Sequence, residues 1–362
     1  MIKFFNGCLL LLVWGMWSSG ACAASVVFLN PGSAPDPYWS SYSRFMQTAA
    51  DRLGMRLKIH YTNRDTRALL TLARQTLSGP ERPDYLVFSN ELNVAPEILR
   101  LSVGSGVRLL AVNNTFTADQ LGILGDLAVR YPDFLGSLVA NDEEGGYRVA
   151  RQLIEAQSLA APGKPVEMLA FSGTNSTPVS LQRERGLYRA LAEYPHVRLR
   201  QIVLGGWRRD RAHEQAQVLL RRYPGTRVIW TASDQMAFGV MDAIRETGQQ
   251  PGKDVLLGTI NDSTAALQAQ RDGLLNVVVG GHFTLGGWAL VLLHDYDEAE
   301  PSARQRIGNW RVSAMQVRER KDAAFYIRAN QRDDYDIDVR QFTEGRSPAG
   351  VGYPFVKAGP RD

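Results

Sequence analysis

The chain has 362 residues, of which 44% are hydrophobic and 22% charged. That excludes a disordered or collagen-like polymer and leaves room for two domains of roughly 100–200 residues each. Lysine plus arginine (41) outnumber aspartate plus glutamate (37) by four, an excess too small and too evenly scattered to mark a nucleic-acid-binding chain.

Both cysteines, Cys8 and Cys22, fall within the first 22 residues. That stretch carries Lys3, an apolar run too short to span a bilayer with ease, and then Ala21-Cys22-Ala23, which fits the small-x-small pattern of a signal-peptidase site. Residues 1–23 are therefore expected to be a cleavable signal peptide directing export to the periplasm. The mature chain would then hold no cysteine for a disulfide, a thiolate nucleophile or a metal site.

From Ser25 onward, short β-branched runs alternate with longer segments of helical period, the pattern of βα units and a mainly parallel sheet. The spacing predicts strands over 26–30, 56–61, 85–89 and 108–112, with helices over 39–53, 66–77 and 94–105. A second cycle follows 135–140. Its helices are predicted over 144–155, 180–193, 209–222, 235–247 and 263–272, and its strands over 166–171, 197–203, 227–231, 255–260 and 276–279. Two similar βα arrays imply two similar lobes. Beyond Gly280 the pattern changes to a glycine-rich turn, an apolar helix over 288–294 and a charged tail with an apolar run at 307–315.

A search for reactive groups returns little. The five histidines (His60, His196, His213, His282 and His294) include no i, i+4 pair of the metalloprotease kind. There is no G-x-S-x-G elbow and no phosphate-cradling loop, and Gly104-Ser105-Gly106 lacks the third glycine of a dinucleotide fingerprint. No catalytic residue, metal site or cofactor is expected.

Polar and aromatic residues do collect at strand ends. Asn30, Asn63, Asn90-Glu91 and Asn113-Asn114 follow strands of the first array, where an open parallel sheet places its ligand crevice. Tyr38 and Trp39 follow the first strand, and Trp207 follows a strand of the second array. Aromatic faces stack on the C–H patches of a sugar ring while Asn, Asp and Arg take its hydroxyls in paired hydrogen bonds.

Six motifs, in order and at similar spacing, resemble type I periplasmic binding proteins of the ribose and galactose class. They are Asn141-Asp142-Glu143-Glu144-Gly145-Gly146-Tyr147, Gly173, Arg183-Glu184-Arg185-Gly186-Leu187, Trp207, the run from Ala232 to Gly239, and the run from Gly258 to Asp262. The resemblance covers about residues 25–295. It implies an α/β fold of two Rossmann-like lobes with parallel sheets, joined by a three-segment hinge. Residues 24–140 with 282–310 would form the first lobe, 141–281 the second, and 311–362 a hinge crossover and C-terminal tail.

By position, the resemblance implies ligand contacts from Asp36, Tyr38, Trp39, Asn90 and Asn113 in the first lobe. From the second it implies Arg183, Trp207, Asn261 or its neighbour Asp262, and His282 near the last hinge. Asp234 joins the candidates, although its place before Gln235 also suits a helix cap. Ser233 stands where many sugar binders carry an asparagine. The implied function is a monomeric, non-enzymatic periplasmic binder that closes on a sugar-like molecule for delivery to an ABC permease. Alternatives are a co-receptor for a membrane sensor kinase or cyclase, and an exported saccharide-acting enzyme, which would need a carboxylate pair facing a cleft. No nucleic-acid partner is expected. On this reading Trp207→Ala and Arg183→Ala weaken ligand binding and leave stability nearly unchanged.

Overall fold

The computed structural model describes residues 23–343 and 353–355; residues 1–22 of the predicted signal peptide, with Cys8 and Cys22, lie outside them. The first array contains β1 (Ser25–Asn30), α1 (Pro37–Leu53), β2 (Arg56–Tyr61), α2 (Thr66–Ser78), β3 (Tyr85–Phe88), α3 (Ala95–Ser102), β4 (Arg108–Val112), α4 (Ala118–Leu124), α5 (Leu127–Arg130) and β5 (Phe134–Ala140). The second contains α6 (Asp142–Ala160), β6 (Val166–Ser172), α7 (Pro178–Glu193), β7 (Val197–Leu204), α8 (Arg209–Arg222), β8 (Val228–Thr231), α9 (Asp234–Glu246), β9 (Leu256–Ile260), α10 (Thr264–Arg271) and β10 (Val277–Gly280). After these come α11 (Leu285–Glu298), β11 (Gly308–Val312), β12 (Gln316–Arg318) and α12 (Ala323–Asn330).

The strands form two six-stranded sheets, ordered β11-β5-β4-β3-β1-β2 and β12-β10-β9-β8-β6-β7. Every pairing is parallel except β10 with β12. Helices cover both faces, so central strands such as β3 and β8 are buried at every position, which is why they read as unbroken apolar runs. The α/β class and the paired parallel sheets agree with the sequence reading. It passes over α4 and α5, because helices of seven and four residues are too short to display a period.

Close helix packing brings the second lobe's polar groups together. A Cβ on Gly146 would lie 2.1 Å from the Arg183 carbonyl oxygen, and one on Gly186 would lie 2.0 Å from that of Glu143. These two glycines let the backbones of α6 and α7 touch, which sets the Arg183 side chain beside Asp142. Trp230, fully buried under the same helices, donates its indole N–H to the Gly146 carbonyl at 3.1 Å.

The chain passes between the sheets after β5 at Asn141, after β10 at Gly281 and between β11 and β12. It then crosses once more, which the sequence reading does not anticipate. Helix α12 packs on α10, while Tyr335, five residues beyond it, is buried against Phe45 of α1 and accepts hydrogen bonds from Arg44. The positive φ of both Tyr335 (48°) and Asp336 (57°) makes this turn possible, and no glycine advertises it. None of the helices among the described residues is long and apolar enough to cross a membrane.

Candidate functional site

The carboxyl ends of the strands in the two sheets face one narrow cavity, open at its mouth to solvent. Its lining is supplied loop by loop. Asp36, Tyr38 and Trp39 follow β1, Arg64 follows β2, Glu91 follows β3, and Asn113 and Asn114 follow β4. From the second lobe come Thr177, Val179 and Arg183 after β6, Trp207 after β7, Ser233, Asp234 and Gln235 after β8, and Asn261 after β9. This is the crevice expected of open parallel sheets, doubled.

Four lining residues hold left-handed backbone without being glycine: Arg64 (φ 57°), Asn113 (φ 63°), Trp207 (φ 63°) and Asn261 (φ 81°). Such conformations cost roughly 1–3 kcal/mol each, and they cluster where a ligand is clamped. A matching device in each lobe admits a tryptophan. A Cβ on Gly32 would lie 2.1 Å from the Trp39 side chain, and one on Gly173 would lie 2.0 Å from the Trp207 ring.

Arg183 organises the second-lobe wall. It is 4% exposed. It donates from Nε to Asp142 Oδ1 (2.8 Å), from Nη1 to the Ala232 carbonyl (2.7 Å) and from Nη2 to His282 Nε2 (3.2 Å). Since a guanidinium only donates and has five N–H groups, His282 Nε2 must be the acceptor, and two N–H groups stand outside these three bonds. Burial, reinforced by Arg183 and Arg318, holds the His282 imidazole well below its ordinary pKa, so the ring is neutral and carries its proton on Nδ1. Burial also pushes the Asp142 carboxyl up, against the pull of Arg183.

In the first lobe, Asp36 Oδ1 caps α1 by accepting from the backbone N–H groups of Tyr38 (3.0 Å) and Trp39 (3.3 Å). Its Oδ2 lies 3.4 Å from Arg64 Nη1. Tyr38 donates its hydroxyl to Asn113 Oδ1 at 2.7 Å and stacks on His282 with ring centroids 4.9 Å apart. Two bonds join the lobes across the cleft. Thr177 Oγ1 donates to Glu91 Oε1 (3.3 Å), and the Val179 N–H donates to Asn114 Oδ1 (2.8 Å). Burial raises the pKa of Glu91.

Of the sequence candidates, Asp36, Tyr38, Trp39, Asn113, Arg183, Trp207, Asp234 and Asn261 line the cavity. The other two stand behind it. Asn90 is buried in its own loop, donating to the Thr115 carbonyl and to Gln120 Oε1 and accepting from the Ala95 N–H. His282 backs Arg183 and Tyr38. Asp262 is engaged elsewhere, in a buried ion pair with Arg318 at 2.8 Å. Sequence reasoning passed over Arg64, Glu91, Asn114, Thr177 and Gln235. The strand-end pairs Asn90-Glu91 and Asn113-Asn114 carried the signal for two of them.

Among the lining residues, three buried polar atoms have no hydrogen-bond partner, Trp207 Nε1, Ser233 Oγ and Asp234 Oδ2, and Arg64 Nε has only the Glu91 carboxylate at 3.7 Å. A buried polar group left unpaired costs roughly 1–3 kcal/mol. Gathered around one space, they leave hydrogen-bonding capacity that the protein itself does not use.

Comparison with known proteins agrees with this geometry. Residues 136–300 match the profile of the periplasmic binding protein domain. The crystal structure of a periplasmic sugar-binding protein from Pseudomonas fluorescens is 45% identical, covering 92% of this chain and 98% of that one, with a TM-score of 0.82. The D-allose-binding periplasmic protein of Escherichia coli is 21% identical over 300 residues, which is 82% of this chain and 92% of that protein. The galactofuranose-binding protein YtfQ of Escherichia coli is 26% identical over 137 residues, a match spanning 37% of this chain and 43% of that protein's length. With two parallel sheets facing one cleft and near full-length similarity at 45% identity, the chain belongs to the type I periplasmic binding proteins, a family of solute binders and not of enzymes.

Proposed function

We propose that this protein captures a small sugar ring between its lobes and delivers it to an ABC permease. The observation that carries this reading is the pairing of aromatic surfaces, Tyr38 and Trp39 from one lobe and Trp207 from the other, around a cavity rimmed by hydrogen-bonding atoms that lack partners. Sugar rings offer C–H faces to aromatic rings and hydroxyls to Asn, Asp and Arg. The sugar-binding names of the related proteins support the same ligand class.

The mechanism is hinge closure by population shift. A ligand that touches both walls gains its full contact energy only in the closed state, so it stabilises that state by the difference in affinity. A micromolar dissociation constant corresponds to about −8 kcal/mol, within reach of a few charge-assisted hydrogen bonds and ring stacking after ordering costs. The two remaining N–H groups of Arg183 and the amide of Asn113 supply donors. Asp234 supplies acceptor capacity.

The test is a thermal-shift screen of the mature chain against aldoses, ketoses and polyols, followed by calorimetric titration of each hit. A sugar that raises the melting temperature in a concentration-dependent way, and loses at least tenfold in affinity in Trp207→Ala, is the expected result. A panel without a single hit sinks the proposal.

A further inference from the structure

The charges around the cavity do not balance. Three carboxylates line it, Asp36, Glu91 and Asp234, against two guanidiniums, Arg64 and Arg183; behind the wall, Asp142 lies within the field of both Arg183 and Arg311. Asp142 is taken up by Arg183 at 2.8 Å. Asp36 and Glu91 share Arg64, at 3.4 and 3.7 Å. Asp234 is the remainder. It is 1% exposed, and among the described residues no lysine, arginine or histidine forms an ion pair with it. Its Oδ1 accepts from Asn261 Nδ2 (3.0 Å) and from the Gln235 N–H (2.9 Å), the Ser263 side chain stands close enough to favour its charge, and Oδ2 makes no hydrogen bond of full geometry. The neutral His282 adds no compensating charge.

We propose that Asp234 is a charge-selecting residue: the site accepts neutral and amino-bearing sugar rings and excludes acidic sugars such as uronic acids. This rests on the sugar-binding reading above and narrows it to a charge class. The physical reason is that a second carboxylate brought within a few ångströms of a buried, unpaired one is repelled strongly in a medium much less polarisable than water. An ammonium or a hydroxyl offers Oδ2 the donor it lacks. Burial together with the nearby Asp36 pushes the Asp234 carboxyl up to about 6, so the exclusion should operate at pH 8 and fade by pH 5, where a uronic acid is still ionised.

The experiment measures dissociation constants of the mature protein for three matched sets, glucose, glucosamine and glucuronic acid, then the galactose and mannose equivalents. Wild type is compared at pH 8 and pH 5, and Asp234→Asn at pH 8. In the set that binds, the uronic acid is expected to bind at least a hundredfold more weakly than the neutral sugar, with the amino sugar no weaker than the neutral one. Asp234→Asn should shrink the uronate-to-neutral ratio at least tenfold, and so should wild type at pH 5. The isosteric amide retains the shape of the site, and its ligand-free melting temperature reports whether it folds. A uronic acid within tenfold of its neutral partner in wild type at pH 8 overturns the proposal. So does a ratio that either the variant or the lower pH leaves unchanged. If no member of any set binds, the sugar-binding reading falls and this inference falls with it.

Discussion

Gly173 and Trp207 are built as a pair: the indole lies where any Cβ on residue 173 would be, 2.0 Å from its ring carbon. Trp207 stands on two successive left-handed residues, Gly206 (φ 63°) and itself (φ 63°), so the ring is aimed by its backbone and seated by the glycine. Gly173→Ala should push the ring into the cavity. We expect ligand affinity to fall at least tenfold with a stability loss of no more than about 1–3 kcal/mol, the range for overpacking. Calorimetric titration alongside urea unfolding checks this. Unchanged affinity would mean that the ring moves aside freely and does not clamp.

Arg183→Ala carries a different expectation from the one read off the sequence. The side chain is buried and holds Asp142, the Ala232 carbonyl and His282, so truncation leaves Asp142 as an uncompensated buried charge. The expected loss is about 3–5 kcal/mol of stability, on top of weakened binding. Replacing both partners, Arg183→Met with Asp142→Asn, should recover most of the stability and none of the affinity. Denaturant melts of the two variants separate these effects.

Asp234 gives a signed pH dependence. Its carboxyl is raised from 3.8 to about 6 in the folded state by burial, so the folded protein binds the proton more tightly than the unfolded chain does. Its contribution to stability is therefore fully present below about pH 3.8 and lost as pH rises through about 6. That difference is worth roughly 3 kcal/mol. Asp234→Asn should accordingly match wild type at pH 4 and exceed it at pH 8. Melting curves at the two values decide, and equal stability at pH 8 would contradict the expectation.

The two lobes are held together at Asn114, which accepts from the Val179 N–H, and at Glu91, which accepts from Thr177. A hydrogen bond of this kind contributes about 1 kcal/mol net. Asn114→Ala should shift the ligand-free protein toward open forms and increase its radius of gyration in small-angle scattering, while saturating ligand restores the compact value. Identical scattering from both proteins without ligand would show that these bonds do not govern closure.

Tyr335 fastens the C-terminal segment to α1. Its ring is buried between Phe45 and Phe283, with centroids 5.6 and 4.6 Å away, and its hydroxyl accepts from Arg44. Tyr335→Ala should cost about 3–5 kcal/mol, the range for deleting a buried aromatic ring. Tyr335→Phe should cost about 1 kcal/mol for the hydrogen bond. Chemical denaturation measures both.

The alternation of βα units, the two lobes and the family were legible in the sequence, because strands buried on both faces and amphipathic helices impose local periods of two kinds that survive without tertiary context. Tyr38, Trp39 and Trp207 were legible for a related reason: they follow strand ends, the first two in the opening turn of α1 and Trp207 just before α8, where open parallel sheets place their crevice. The structure alone separated Asn90 from Asn113. Both follow central strands of one sheet, yet Asn90 is consumed by Thr115, Gln120 and Ala95, whereas Asn113 takes a left-handed backbone and lines the cleft. It alone brought in Arg64 and Thr177, and it alone revealed Asp234 as the carboxylate without a cation. Charge pairing and burial at the cleft depend on residues far apart in the chain, such as Glu91 and Thr177, 86 positions apart, and Asn114 and Val179, 65 apart, and no local pattern encodes which of them will meet.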